Sequence, residues 1–75
     1  MSLLLSELPV GQLGTISGFT FEDALTDRLM QLGLIEGTEI RLIRVAPSGD
    51  PIEVQIACYA LSMRKADADA VIVDV

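Results

Sequence analysis

The chain has 75 residues, of which 51% are apolar, and it carries a net charge of −6 with one cysteine and no histidine. That length holds one domain, residues 1–75, and the composition excludes disorder, an intrachain disulfide and an imidazole-based metal site, so the core stands without the usual supports of so small a fold. The acidic surplus repels phosphate backbones and argues against nucleic acid.

Leu3-Leu4-Leu5 has no basic segment before it and is too short for a signal peptide. The longest uncharged apolar run, Ile56 to Leu61, falls far below the about 20 residues of a membrane span. A soluble cytoplasmic protein without membrane insertion is expected, and a lone cysteine fits a reducing compartment. Leu8-Pro9-Val10-Gly11 reads as a turn into a first strand over 12–19, in which Gly14 and Gly18 mark a bend or bulge.

A helix follows over 22–32, where Leu25, Leu29 and Leu32 share one face that must be buried. Thr20 and Asp23 form an approximate capping box at its start. Gly33 ends it, because glycine adopts the left-handed conformation that turns the chain and folds Leu34 back onto Leu29. Ile35-Glu36-Gly37-Thr38 is a tight turn.

Strands then follow in close order. Residues 39–45 place Ile40 and Leu42 on one face and Arg41 and Ile43 on the other. Pro47-Ser48-Gly49-Asp50-Pro51 is a hairpin loop. Ile52, Val54 and Ile56 alternate with Glu53 and Gln55, and Leu61 and Met63 alternate with Ser62 and Arg64. Lys65 to Ala70 suits a single helical turn, and Val71, Val73 and Val75 form a closing strand. The pattern predicts a mainly β fold: a small SH3-like five-stranded barrel, closed against edge pairing, with one helix after the first strand and a short helical turn before the last.

Chemistry is sparse. General acid–base or nucleophilic catalysis needs a positioned nucleophile or a proton carrier near neutral pKa. Without histidine, Cys58 lacks its usual activating base and reads as a small packing residue. Asp67 and Asp69 read as solvated charges, not as a cation site, since further oxygen ligands are missing. No catalytic, cofactor or metal residues are therefore assigned, and no enzyme activity is expected. An RNA-binding barrel would need stacking platforms beside a basic groove, whereas Phe19, Phe21 and Tyr59 are the only aromatics and acids outnumber bases 11 to 5.

Recognition of another protein remains. Met30 lies off the inward helical stripe and is expected to be partly exposed. With Tyr59 it forms the candidate patch, rimmed by Asp27, Gln31 and Glu36.

Arg28-Leu29-Met30-Gln31-Leu32-Gly33-Leu34-Ile35-Glu36-Gly37-Thr38-Glu39-Ile40 resembles the "RL..LGL.PG..I" signature of the FeoA family. Pro47-Ser48-Gly49-Asp50-Pro51-Ile52 resembles that family's "P.GDPI" hairpin, and Leu61-Ser62-Met63-Arg64 with Ala68 and Val71-Ile72-Val73 its "LALR..EA..I.V" ending. With Leu8-Pro9-Val10-Gly11, these matches span nearly the whole chain in order. The resemblance implies an SH3-like barrel and an accessory or regulatory role in bacterial ferrous iron uptake, by contact with the cytoplasmic part of the FeoB membrane transporter. Glu36 stands where the family often has Pro, and Cys58 where it often has Gly. The same module occurs as the C-terminal domain of metal-dependent repressors, so a stand-alone regulatory module binding another protein is the alternative. Weak self-association is a further expectation.

Overall fold

The computed structural model describes residues 1–20, 23–57 and 59–75. Its strands are β1 (Ser2–Leu4), β2 (Leu13–Phe19), β3 (Glu39–Val45), β4 (Ile52–Ile56), β5 (Tyr59–Met63) and β6 (Val71–Asp74); its helices are α1 (Ala24–Gln31) and the single turn α2 (Lys65–Ala68). The strands form one antiparallel sheet in the order β1-β6-β2-β3-β4-β5. Inward side chains from all six strands join one core with Leu5, Leu29, Leu34 and Ala68, which a flat sheet does not permit, so the sheet curls round its own inner face.

The mainly β class, the helix after the first long strand and the helical turn before the last strand stand as expected. The strand count is six, not five. The added strand is β1, whose Ser2, Leu3 and Leu4 lie opposite Asp74, Val73 and Ile72. Three residues without alternation give no period to read, and their partner lies at the far end of the chain. The sheet consequently has two terminal strands, β1 and β5, where closure had been expected to hide its edges.

Alternation sets the inner face elsewhere. Ile40 and Leu42 of β3 and Ile52, Val54 and Ile56 of β4 are buried, while Arg41 and Ile43 face out. The ladder shifts register between Ile16 and Gly18, the bulge expected at Gly18. Gly14 serves close approach, since a Cβ there would lie 3.2 Å from the Asp74 carbonyl oxygen.

Two details of α1 differ from expectation. Its cap is Asp23, not Thr20: the Asp23 carboxylate accepts from the Leu25 and Thr26 amides at 2.9 and 3.2 Å, and the buried Thr26 hydroxyl accepts from the Asp23 amide at 3.0 Å. Thr20 lies just past the end of β2, where its amide is bonded to the Ala70 carbonyl at 2.9 Å. The expected start at Glu22 and the packing role given to Cys58 lie outside the described residues. Leu29 is buried and Leu25 half-buried, but Leu32 is 38% exposed. Leu32 is the C-cap, where the helix runs past the rim of the core, and Leu34 occupies the inward position in its place, wholly buried.

Candidate functional surface

The C-terminal end of α1 is fixed by a Schellman turn. The Leu34 amide donates to the Leu29 carbonyl at 3.1 Å and the Gly33 amide to the Met30 carbonyl at 3.0 Å, with Gly33 at φ +106°. The chain then turns through Ile35–Thr38, closed by the Thr38 amide on the Ile35 carbonyl at 3.1 Å. That turn is tied to β2 by reciprocal bonds between Ile16 and the Gly37 amide and Thr38 carbonyl.

From the other side of the fold, the β4–β5 hairpin brings Tyr59 to the same place. Ile56 pairs with Tyr59 across a two-residue loop in which Ala57 holds φ +51°, rare for a residue with a Cβ. The Tyr59 side chain crosses to the helix end, so that a Cβ on Gly33 would lie 2.8 Å from its hydroxyl oxygen. The absence of a side chain at position 33 thus both permits the turn and makes room for the ring.

Met30 and Tyr59, 38% and 43% exposed, therefore both stand at the turn around Gly33, whose amide bonds the Met30 carbonyl and whose Cα faces the Tyr59 hydroxyl. Leu32 and Ile35, exposed to 38% and 50%, lie on the same stretch of chain. Neither had been assigned to the surface. Leu32 was placed inward by helical phase alone; Ile35 carried a usable signal, an apolar side chain between an inward Leu34 and a solvent turn. Asp27 and Gln31 are exposed on α1 and Glu36 is exposed in the following turn. The ion pairs among the described residues, Arg44–Glu53 and Arg64–Asp67, do not involve Asp27 or Glu36.

A separate groove of about 210 Å³ lies on the outer face of β2, β3 and β4, lined by Leu13, Glu39, Arg41, Gln55 and Ala57. The Arg41 guanidinium is engaged there with the Gly11 carbonyl at 3.2 Å. Among the described residues, no three Cys, Asp or Glu side chains stand close enough to share a metal ion. No helix among them is long and apolar enough to cross a membrane.

The family model for the FeoA domain matches residues 3–75. The chain belongs to the FeoA family. A FeoA protein from Chlorobium tepidum has 38% sequence identity to it with a TM-score of 0.88, covering 97% of this chain and 70% of that one. A zinc complex of FeoA from Stenotrophomonas maltophilia, described as an SH3 domain protein, has 32% identity and a TM-score of 0.82 over 99% of this chain and 89% of its own. A fusion of Fe(2+) transport protein A with the transporter FeoB in Porphyromonas gingivalis is 31% identical over 64 residues; the match covers 85% of this chain and 8% of that protein's length. A manganese-dependent transcriptional repressor shares the fold alone, at 18% identity with a TM-score of 0.87 over 97% of this chain and 41% of its own. The SH3-like architecture and the link to iron transport thus agree with the expectation drawn from the helix-and-turn, hairpin and closing motifs.

Proposed function

We propose that the protein is a non-enzymatic, cytoplasmic accessory of ferrous iron uptake that acts by docking on the cytoplasmic part of a FeoB-type transporter. The observation carrying this reading is the exposed apolar end formed by Met30, Leu32, Ile35 and Tyr59, held in place by the Schellman turn on one side and the β4–β5 hairpin on the other. Asp27, Gln31 and Glu36 supply its polar rim. A preformed apolar centre with a polar rim is the usual anatomy of a contact surface. The fusion of a related domain to FeoB in P. gingivalis supports the choice of partner. Zinc in the S. maltophilia relative supports metal contact in the family, and no site is assigned to this chain.

The test is capture of the transporter's cytoplasmic portion by wild type and by Met30→Asp and Tyr59→Ser, each first shown to be folded by a cooperative melt. Both variants are expected to lose most of the captured partner. Retention of wild-type binding by both would place the interface elsewhere.

A further inference from the structure

We propose that Asp50 is a latch: its carboxylate fastens the β3–β4 loop to the start of α2, so that the loop and the helical turn open and close as one unit while the sheet beside them stays paired.

α2 is too short to stand by itself. Its four residues make one turn, and a first turn fixes several backbone dihedrals for a single hydrogen bond. Arg64, its N-cap, offers no side-chain acceptor to the orphan amides of that turn, so an acceptor must come from elsewhere. Asp50 provides it: the Lys65 amide donates to Asp50 Oδ1 at 3.0 Å, from 15 positions along the chain. At the other end of the turn the Ser6 hydroxyl, from the 3-10 turn Leu5–Glu7, bonds to Asp69, and Ala68 and Ala70 are buried. The helical turn is thus held at both ends by groups from distant parts of the chain.

The β4–β5 ladder places the two partners of the latch. Ile52 and Met63 are its last pair, and Asp50 and Lys65 each lie two positions beyond it. There the chain leaves the sheet, with Arg64 extended at φ −74° and ψ 147° and Lys65 as the first helical residue. A side chain takes over where backbone pairing stops. The loop is arranged round the same aspartate. The Ser48 hydroxyl donates to the Asp50 carbonyl at 2.9 Å, the Gly49 amide to the Ala46 carbonyl at 2.7 Å, and the Ala46 amide to the Pro51 carbonyl at 3.1 Å. Releasing Asp50 therefore loosens two segments together, whereas the ladders of β3 with β4 and β4 with β5 keep their own bonds. The aspartate of the Pro47–Pro51 hairpin serves the crossing from β5 to β6 as well as its own loop.

The experiment is amide exchange in the full chain, read residue by residue by NMR. In Asp50→Ala, exchange is expected to quicken about fivefold or more at Lys65 and over residues 67–70, and with them at Ala46 and Gly49, while the ladder amides of β3 and β4 are unchanged. Asp50→Asn keeps an acceptor oxygen and caps about as well, so it should restore most of the protection. Lys65→Pro removes the donor instead. Proline is favoured at a first helical position, and Arg64 already holds the extended conformation that a residue before proline needs. Adding Asp50→Ala to Lys65→Pro should then change nothing further in the loop or in α2. Quickening at Lys65 alone, with Ala46 and Gly49 unmoved, overturns the single unit. Equal quickening along the β3–β4 ladder makes Asp50 a general stabiliser and overturns the latch, as does a full further loss in the double variant. Should Lys65→Pro fail to fold, the contrast between Asp50→Ala and Asp50→Asn decides, and equal losses from those two overturn the capping role.

Discussion

The turn that ends α1 and the loop that joins β4 to β5 meet through Tyr59, and both need backbone at positive φ, yet they satisfy that need differently. Gly33 takes φ +106° with no Cβ to clash, and two Schellman bonds lock the turn. Ala57 takes φ +51° with a methyl group attached, at an exposed position. One side of the candidate surface is thus fixed by residue type and core packing. The other is a tight hairpin that stores a small backbone strain at the base of β5, a terminal strand of the sheet.

The severest way to break the locked side is Leu29→Ala. Leu29 is 3% exposed, belongs to the core and accepts the Leu34 amide. Truncating a buried leucine costs about 2–5 kcal/mol, against a total of about 3–5 kcal/mol for a core of this size. The variant should be largely unfolded in thermal or urea melts; a melt within a few degrees of wild type would remove Leu29 from the core.

Gly33→Ala comes next and separates two effects. Forcing a Cβ into that conformation costs about 1–3 kcal/mol, and the new methyl group also meets the Tyr59 hydroxyl at 2.8 Å. That hydroxyl is the tip of a movable side chain, so most of the loss should persist when Gly33→Ala is made in a Tyr59→Ser background. A double-mutant cycle that returned nearly full stability to the pair would mean the ring contact dominates.

Asp23→Ala probes the far end of the same helix, where the carboxylate satisfies the Leu25 and Thr26 amides. A loss of about 1 kcal/mol is expected by urea melt, while Thr20→Ala leaves the helix cap untouched. Equal losses from the two would restore Thr20 as the cap.

These positions also show which parts of the molecule the residues announce. Gly33 followed by Leu34 is a local signal, because only glycine tolerates that turn freely and the apolar residue after it must go somewhere; the stop and the fold-back onto Leu29 were both legible. So were the inward faces of β3 and β4, where a period of two meets a core on one side. Thr20 and Asp23 were harder to separate. Both are good cap residues near the same helix, and the choice fell to a tertiary fact, that Thr20 is held at the end of β2 by its bond to the Ala70 carbonyl just before β6. The three residues of β1 have no period, and their pairing depends on β6 about 70 positions away. The exposure of Met30 was legible because helical phase excluded it from the core, whereas that of Leu32 was not, because phase cannot tell where the core ends.

The smallest effect expected sharpens the strained side. Replacing Ala57 by Gly removes a positive-φ penalty of about 1–2 kcal/mol and adds about 0.5–1 kcal/mol of unfolded-state entropy, leaving a net gain of about 0.5–1 kcal/mol. For a domain of this size that is a rise of about 2–8 °C in Tm. Ala57 is exposed, so little packing is lost with its methyl group and the gain should be backbone in origin. Ala57→Val provides the opposite sign: a β-branched side chain at φ +51° is worse than alanine, and Tm should fall. Glycine lowering Tm, or valine leaving it unchanged, would show that the hairpin holds no strain and that both turns at the surface are relaxed alike.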